Sequence, residues 1–244
     1  MTDIMRATAV IAAAGRGNRM GGAGSKVYLP LHGRAMLLHT LDRFAAARRI
    51  ADVIVVVAAA DLDGCRALIQ ADPQLRTSEY RLQAGGASRQ ESVRLGLQRL
   101  PAECDIVVIH DGARPLVSPA LIDRCVDEAW QKEAVAAGVP VRDTIKQVSP
   151  AGTVRSTLDR SALWEIQTPQ AFRRQIIVEA HEAARRDHAV ATDDAGLVER
   201  LGKPVYVLDG ERWNIKMTVA EDLLLAEALM RAGRLPWLSE QGSS

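Results

Sequence analysis

Val10–Ile11–Ala12–Ala13–Ala14–Gly15–Arg16–Gly17–Asn18–Arg19–Met20, followed by Ser25–Lys26–Val27–Tyr28–Leu29–Pro30, opens as an apolar strand, thins to small residues and enters a glycine-rich loop. Small residues let backbone N–H groups approach a ligand closely. Successive N–H groups in such a loop form an anion-binding concavity. Arg19 and Lys26 add cations where a polyphosphate would lie. Nucleotidyl transfer needs this equipment, because its catalysis is mostly the positioning and neutralising of phosphate oxygens. Alone, the segment also reads as an ordinary strand-to-helix turn.

Two other phosphate motifs fit worse. A dinucleotide fold wants G-x-G-x-x-G, but after Gly15 and Gly17 the third position is Met20. A P-loop wants glycine directly before its lysine and Ser/Thr directly after, whereas Lys26 lies between Ser25 and Val27.

Working outward, apolar runs and amphipathic stretches alternate. Strands are predicted at Ala7 to Ala12, Asp52 to Ala58, Tyr80 to Gln83, Ile106 to Ile109, Ala134 to Val139 and Val205 to Leu208. Helices are predicted near Met36 to Ala47, Leu62 to Ala71, Ser88 to Leu100, Pro119 to Lys132, Phe172 to Arg186, Asp193 to Leu201 and Val219 to Ala232. This rhythm implies an α/β fold with a mostly parallel, helix-covered sheet. Ligands on such sheets bind beyond the carboxyl ends of the strands. The chemically rich segments Ala13 to Lys26, Gly85 to Ser92 and His110 to Pro115 fall there.

The rhythm breaks after Pro140. Val141 to Thr168 carries short Thr/Val/Ile runs around the turn Ser149–Pro150–Ala151–Gly152 and reads as a projecting β-arm. A hairpin without its own core needs a partner surface. It packs either on its own domain or across a homodimer. The expected organisation is one domain over 1–236, with the arm at about 141–168, and a tail over 237–244.

The chain has 244 residues, 48% of them hydrophobic and only 4% aromatic, so a sizeable core is built from Ala, Val, Leu and Ile. A formal net charge of +1 argues against bulk nucleic-acid or membrane-surface binding. Cys65, Cys104 and Cys125 form no C-x-x-C pair, which suggests neither a zinc site nor a redox motif. No apolar run reaches the ~18 residues of a membrane span. Met1–Thr2–Asp3–Ile4–Met5–Arg6 lacks the regions of an export signal, so the expected location is cytoplasmic.

Further constellations carry chemistry. Gly85–Gly86–Ala87–Ser88–Arg89–Gln90–Glu91–Ser92 is a second glycine turn into a helix. Its Gly85 and Gly86 suit a flat base, Ser88 and Glu91 are spaced as a capping box, and Ser92 is placed to meet a base edge. His110–Asp111–Gly112–Ala113–Arg114–Pro115 ends a buried strand. Asp111 suits a metal or a sugar hydroxyl, Arg114 suits a phosphate, and His110 reads as structural. An Asp–Arg surface ion pair is the plain alternative. Thr144, Arg160 and Thr168 suit a phosphorylated polyol, and Asn214–Ile215–Lys216 adds a cation. Asp193 and Asp194 read as caps of the following helix.

In order and spacing these blocks resemble the 2-C-methyl-D-erythritol 4-phosphate cytidylyltransferase family from Val10 to about Ala228: Ala-Ala-Gly…Arg-Met, Lys…Tyr-Leu, Gly-Gly…Arg…Ser-Val, His-Asp…Ala-Arg-Pro, Val-Arg-Asp-Thr-Ile-Lys, Arg…Leu-Trp…Gln-Thr-Pro-Gln and Asn-Ile-Lys. The resemblance implies a Rossmann-like nucleotidyltransferase fold and a homodimer with interlocked arms. It implies cytidylyl transfer from CTP to methylerythritol phosphate with Mg2+, on the non-mevalonate route to isoprenoids. By position, Arg19, Lys26 and Lys216 would be catalytic, with Lys216 also positioning the substrate phosphate beside Arg160, supplied by the partner subunit. Asp111, Arg114, Thr144 and Thr168 would line the polyol site. Ala13, Ala14, Gly15, Gly86, Ser92 and Gly112 would surround the nucleotide. Mg2+ would sit mainly on triphosphate oxygens, with Asp111 the candidate protein ligand. The chain departs from the family pattern at Gly112, at Ala12 and at Ser25–Lys26–Val27, all near the nucleotide. Two alternatives are a ribitol-5-phosphate cytidylyltransferase and a non-catalytic nucleotide-binding dimer.

Overall fold

A computed structural model describes residues 5–15, 25–75, 80–233 and 235. Its elements run β1 (Ala7–Ala12), β2 (Pro30–Leu31), β3 (Arg34–Ala35), α1 (Met36–Ala46), β4 (Ile50–Val57), α2 (Leu62–Ala71), β5 (Tyr80–Ala84), α3 (Arg89–Leu97), β6 (Ile106–Asp111), α4 (Pro119–Lys132) and β7 (Ala134–Pro140). They continue with β8 (Lys146–Val148), β9 (Val154–Thr157), β10 (Trp164–Arg173), α5 (Arg174–Arg186), α6 (Asp194–Arg200), β11 (Tyr206–Asp209) and α7 (Ala220–Arg231).

Seven strands form the central sheet in the order β11-β7-β10-β6-β1-β4-β5. β6, β1, β4 and β5 are parallel, β11 is parallel to β7, and β10 runs antiparallel to both its neighbours. The central strands are apolar almost throughout because both faces are covered. Alternation of side chains sends Ala9 and Ile11 of β1 and Val108 of β6 to one core, with α1, α2, α4 and α7. Val10, Val107 and Ile109 point to the other, with α3, α5 and α6. The expected fold class is what forms.

Local chemistry sets several helix starts. Ser118 accepts from Leu121 N–H at 3.0 Å with Pro119 in the first turn of α4. Ser88 accepts from Glu91 N–H at 3.1 Å, but the carboxylate of Glu91 turns to Arg94, so only half of the capping box forms. Asp193 caps α6 by accepting from Gly196 N–H at 3.0 Å; Asp194 does not cap and is buried in an ion-pair network instead.

The arm differs from its predicted extent. The separate two-stranded hairpin is β8–β9 around the Ser149–Gly152 turn, whereas Trp164 to Ile166 pair with Pro140 to Gly138 in the central sheet. β10 has no apolar run to announce it. Gln167, Thr168 and Gln170 are buried there, held by Glu211, His110, Asp193 and the N–H of Ala195.

Register brings the parallel strands out together, with Ala12 beside Val56 and Asp111, and Val57 beside Ala84. The loops that follow these ends make the site.

Candidate active site

Beyond those strand ends lies a cavity of about 890 Å³, within the usual range for ligand pockets. Its wall includes Ala13, Ala14, Gly15, Lys26, Gly85, Gly86, Ser92, Asp111 and Lys216. These residues come from segments far apart in the chain. They meet because β1, β4, β5 and β6 share one carboxyl edge.

The first loop leaves β1 with Ala13 N–H donating to Val56 O at 2.8 Å. Ser25 Oγ donates to Gly15 O at 3.0 Å, which closes the base of the loop. Lys26 opens a short 3-10 turn, and its Nζ donates to Met217 O at 2.6 Å. Arg19 lies outside the described residues, as does the rest of the loop from 16 to 24.

The second loop is built by Ser92, whose hydroxyl accepts from Gly86 N–H at 3.1 Å and donates to Ser88 O at 2.8 Å. Ser92 therefore shapes the glycine turn, and its donor is spent on the backbone. Ala58 and Ala59 add a small-residue wall from the end of β4, for which the sequence carries no motif.

Asp111 ends β6 at the floor of the cavity. Its Oδ1 accepts from Arg89 Nε at 2.8 Å and its Oδ2 from Lys216 Nζ at 2.8 Å, with Arg114 Nε 3.7 Å from Oδ2. Burial works against the charged form, but Arg89 and Lys216 overcome it and hold this carboxyl well below the usual range. Among the described residues, the cations Lys26, Arg89, Arg114 and Lys216 thus stand with the carboxylates Asp111, Asp194 and Asp222. The balance favours an anionic ligand.

Several predicted residues stand one layer behind the wall. Thr168 Oγ1 accepts Asp111 N–H at 3.0 Å and lies 3.1 Å from His110 Nδ1. His110 Nε2 is 3.2 Å from Arg114 O, which can only accept, so Nε2 carries the proton and Nδ1 accepts from Thr168. Burial pushes the imidazole down to about 3, so it is neutral near pH 7 and structural, as its sequence position suggested. Arg114 Nη1 donates to Asn214 O at 2.7 Å, tying the β6 loop to the Lys216 segment. Gly112 lies beneath Ala13, where an added Cβ would stand 3.1 Å from the Ala13 Cβ. Thr144 and Arg160 are exposed on the arm and form no part of this wall; Arg160 Nη1 donates to Arg142 O at 2.9 Å.

As a protein ligand for Mg2+, Asp111 does not fit this arrangement, since each oxygen is already taken by a cation. Among the described residues no group of three or more His, Cys, Asp or Glu is placed to hold a metal. No helix among them is long and apolar enough to cross a membrane, and the three cysteines are buried and unpaired.

Comparison with known proteins agrees with this geometry. A family model described as 2-C-methyl-D-erythritol 4-phosphate cytidylyltransferase matches residues 7–232. The protein of that name from Syntrophotalea carbinolica is 49% identical over 222 residues, covering 91% of this chain and 94% of its own. Its counterpart in Pelotomaculum thermopropionicum is 45% identical, covering 94% and 97%. The crystal structure of 4-diphosphocytidyl-2C-methyl-D-erythritol synthase from Anaerococcus prevotii superposes with a TM-score of 0.83 at 30% identity, covering 94% of this chain and 97% of that one. The crystal structure of 2-C-methyl-D-erythritol 4-phosphate cytidylyltransferase from Thermus thermophilus gives 0.75 at 34% identity, covering 93% and 100%. With a family model matched almost end to end, relatives near half identity and solved structures of the same fold, the chain belongs to the 2-C-methyl-D-erythritol 4-phosphate cytidylyltransferase family.

Proposed function

We infer that this chain transfers a cytidylyl group from CTP to 2-C-methyl-D-erythritol 4-phosphate and releases pyrophosphate, a step of isoprenoid biosynthesis. The observation that carries this reading is the convergence of Lys26, Lys216 and the Ala13–Gly15 backbone on one cavity, in a chain of this family. The triphosphate lies along Ala13–Gly15 and the base against Gly85, Gly86 and Ser92. The polyol phosphate approaches from the Asp111–Lys216 end.

An oxygen of the polyol's phosphate monoester attacks the α-phosphorus of CTP. The bond from that phosphorus to the oxygen bridging toward the β-phosphorus breaks, and pyrophosphate leaves with the electron pair. The nucleophile is already an anion, so no general base is needed, and His110 stays in the core. Lys26 and Lys216 stabilise the charge that moves onto the leaving group. Arg19 has the same role by its place in the sequence. Mg2+, where bound, would supply charge neutralisation to the triphosphate; Asp111, with one oxygen on Arg89 and the other on Lys216, would not be its ligand.

A homodimer completes the reading. Val148, Val154, Leu158, Trp164 and Ile166 are exposed on and beside the hairpin, which has no core of its own. A second protomer covering this surface would carry Thr144 and Arg160 into its neighbour's site. Three unpaired thiols agree with a reducing compartment such as the cytoplasm.

Pyrophosphate release is the test. Release with CTP and 2-C-methyl-D-erythritol 4-phosphate, and far less with D-ribitol 5-phosphate, is the expected result. Preference for ribitol phosphate would replace the acceptor, and CTP binding without turnover would leave a nucleotide-binding dimer.

A further inference from the structure

Arg89 lines the cavity but takes no part in the steps above. It follows the glycine turn as the first residue of α3, and its guanidinium joins two carboxylates from distant parts of the chain. Nε donates to Asp111 Oδ1 and Nη1 to Asp194 Oδ2, each at 2.8 Å. The side chains of Asp111 and Asp194 are 8% and 1% exposed, against 28% for Arg89. Asp194 is fixed in turn, since its Oδ1 accepts from His181 Nε2 on α5 at 3.0 Å. At the other end Asp111 Oδ2 holds Lys216 Nζ at 2.8 Å. A line of hydrogen bonds therefore runs from His181 on α5 through Asp194, Arg89 and Asp111 to the ammonium at the cavity.

The geometry asks for such a line. The terminal torsion of an aspartate is broad, so Asp111 alone does not fix where its oxygens point. A planar guanidinium held at two points does fix it, because its N–H groups have set directions. Lys216 is a flexible ammonium and takes its position from the oxygen it meets. We propose that Arg89, clamped by Asp194, is a positioning residue for the transfer reaction. It orients the Asp111 carboxylate and thereby sets the Lys216 ammonium where the phosphate charge develops. The inference rests on the cytidylyltransferase reading of the same cavity.

Two variants separate positioning from stability. Arg89→Lys keeps the charge, but one ammonium does not reproduce the two-point fork. Its kcat is expected to fall roughly 10- to 100-fold, the usual penalty for small misplacement of reacting groups, while KM for CTP changes less than about threefold. In Arg89→Met with Asp194→Asn, the Arg89 and Asp194 charges are removed together, Asp111 keeps Lys216 as its counter-cation, and the amide that replaces the carboxylate still offers His181 an oxygen. Its melting temperature is expected near wild type, with kcat still down. Wild-type kcat in Arg89→Lys, or kcat returning together with stability in the double variant, would overturn the proposal. If the double variant is unstable, Arg89→Lys decides alone. A wild-type protein that releases no pyrophosphate would instead refute the reaction. The positioning role is then read from crystal structures of wild type and Arg89→Lys: Lys216 Nζ displaced from Asp111 Oδ2 supports it, and an unchanged contact overturns it.

Discussion

Replacing Gly85 by alanine puts the packing of the β1 and β5 loops against each other to a direct test. An added Cβ would stand 2.5 Å from the Ala14 Cβ and 2.8 Å from Ser92 Oγ. Carbon–carbon contact is comfortable at ~3.5 Å, so the two loops must part by about 1 Å. Neither neighbour is the end of a flexible side chain. Ala14 moves only with its backbone, and Ser92 Oγ is held by Gly86 N–H and Ser88 O. Gly85 N–H also donates to Val57 O at 2.7 Å, which anchors the turn to β4. Overpacking of this kind costs about 1–3 kcal/mol, and about 2–4 °C of melting temperature per kcal/mol at this chain length. A drop of about 2–12 °C is therefore expected on a thermal scan. Displacement of Ala14 by about 1 Å should cut kcat/KM for CTP by roughly a hundredfold. Gly64→Ala is the control, because Gly64 is exposed on α2 and an added Cβ there meets nothing within 4 Å. It should gain about 1 kcal/mol or less and leave the kinetics unchanged. A Gly85→Ala enzyme with the stability and CTP kinetics of wild type would refute the loop contact.

Lys26→Ala should leave the fold intact and lower kcat about a hundred- to thousandfold at saturating CTP and Mg2+; near-wild-type turnover would remove Lys26 from the catalytic set. His110 gives a pH signature. Its folded value lies near 3 against an ordinary ~6.5, so between these the unfolded chain binds the extra proton, and stability falls as pH drops. The loss is about 1.4 kcal/mol per pH unit, or about 2–3 kcal/mol between about pH 6.5 and 4.5. Urea unfolding of wild type and His110→Asn at fixed protein concentration should show a shallower slope in the variant, and equal slopes would contradict the buried neutral imidazole. Subunit mixing tests the arm: Arg160→Ala and Lys26→Ala subunits, each nearly inactive, should recover toward one wild-type site per heterodimer if Arg160 acts across the interface. A verified heterodimer without recovery would assign Arg160 to its own chain's site.

What the sequence discloses depends on whether a signal is local. β1, α2 and α4 are read to the residue, because each is bounded by its own small, proline or capping residues. The glycine turns and Lys26 are legible for the same reason: their small residues and their charge lie in one short stretch. β10 is not, because its buried glutamines and threonine are satisfied by partners from other segments. Gln167, for example, meets Glu211 and Asn214, 44 and 47 residues away. The Arg89–Asp194 bridge spans 105 residues, and no spacing rule reaches that far. Asp194 sits where an acid serves a helix start, so its local reading as a cap was complete without the bridge.

The division follows from what a site at a strand edge must do. Loops proposed to hold a phosphate are recognised by backbone and charge, and both are written in consecutive residues. The carboxylate that meets Lys216 has a different task. Asp111 must stay ionised while buried, which requires counter-cations close at hand. The β6 loop supplies Arg114, at 3.7 Å, and the stronger contacts come from α3 and from the Lys216 segment. Thr168 settles the backbone beneath it from the antiparallel strand that interrupts the parallel order. The insertion of β10 between β6 and β7 thus has a local consequence at the site. It replaces a ladder partner at Asp111 N–H by a hydroxyl that His110 orients. Substituting valine for Thr168 would keep the shape and strip that acceptor. The buried N–H would then be unpaired, at a cost of about 1–3 kcal/mol. An amide-exchange measurement at Asp111 would register the loss as faster exchange, and unchanged protection would show that the hydroxyl is not its acceptor.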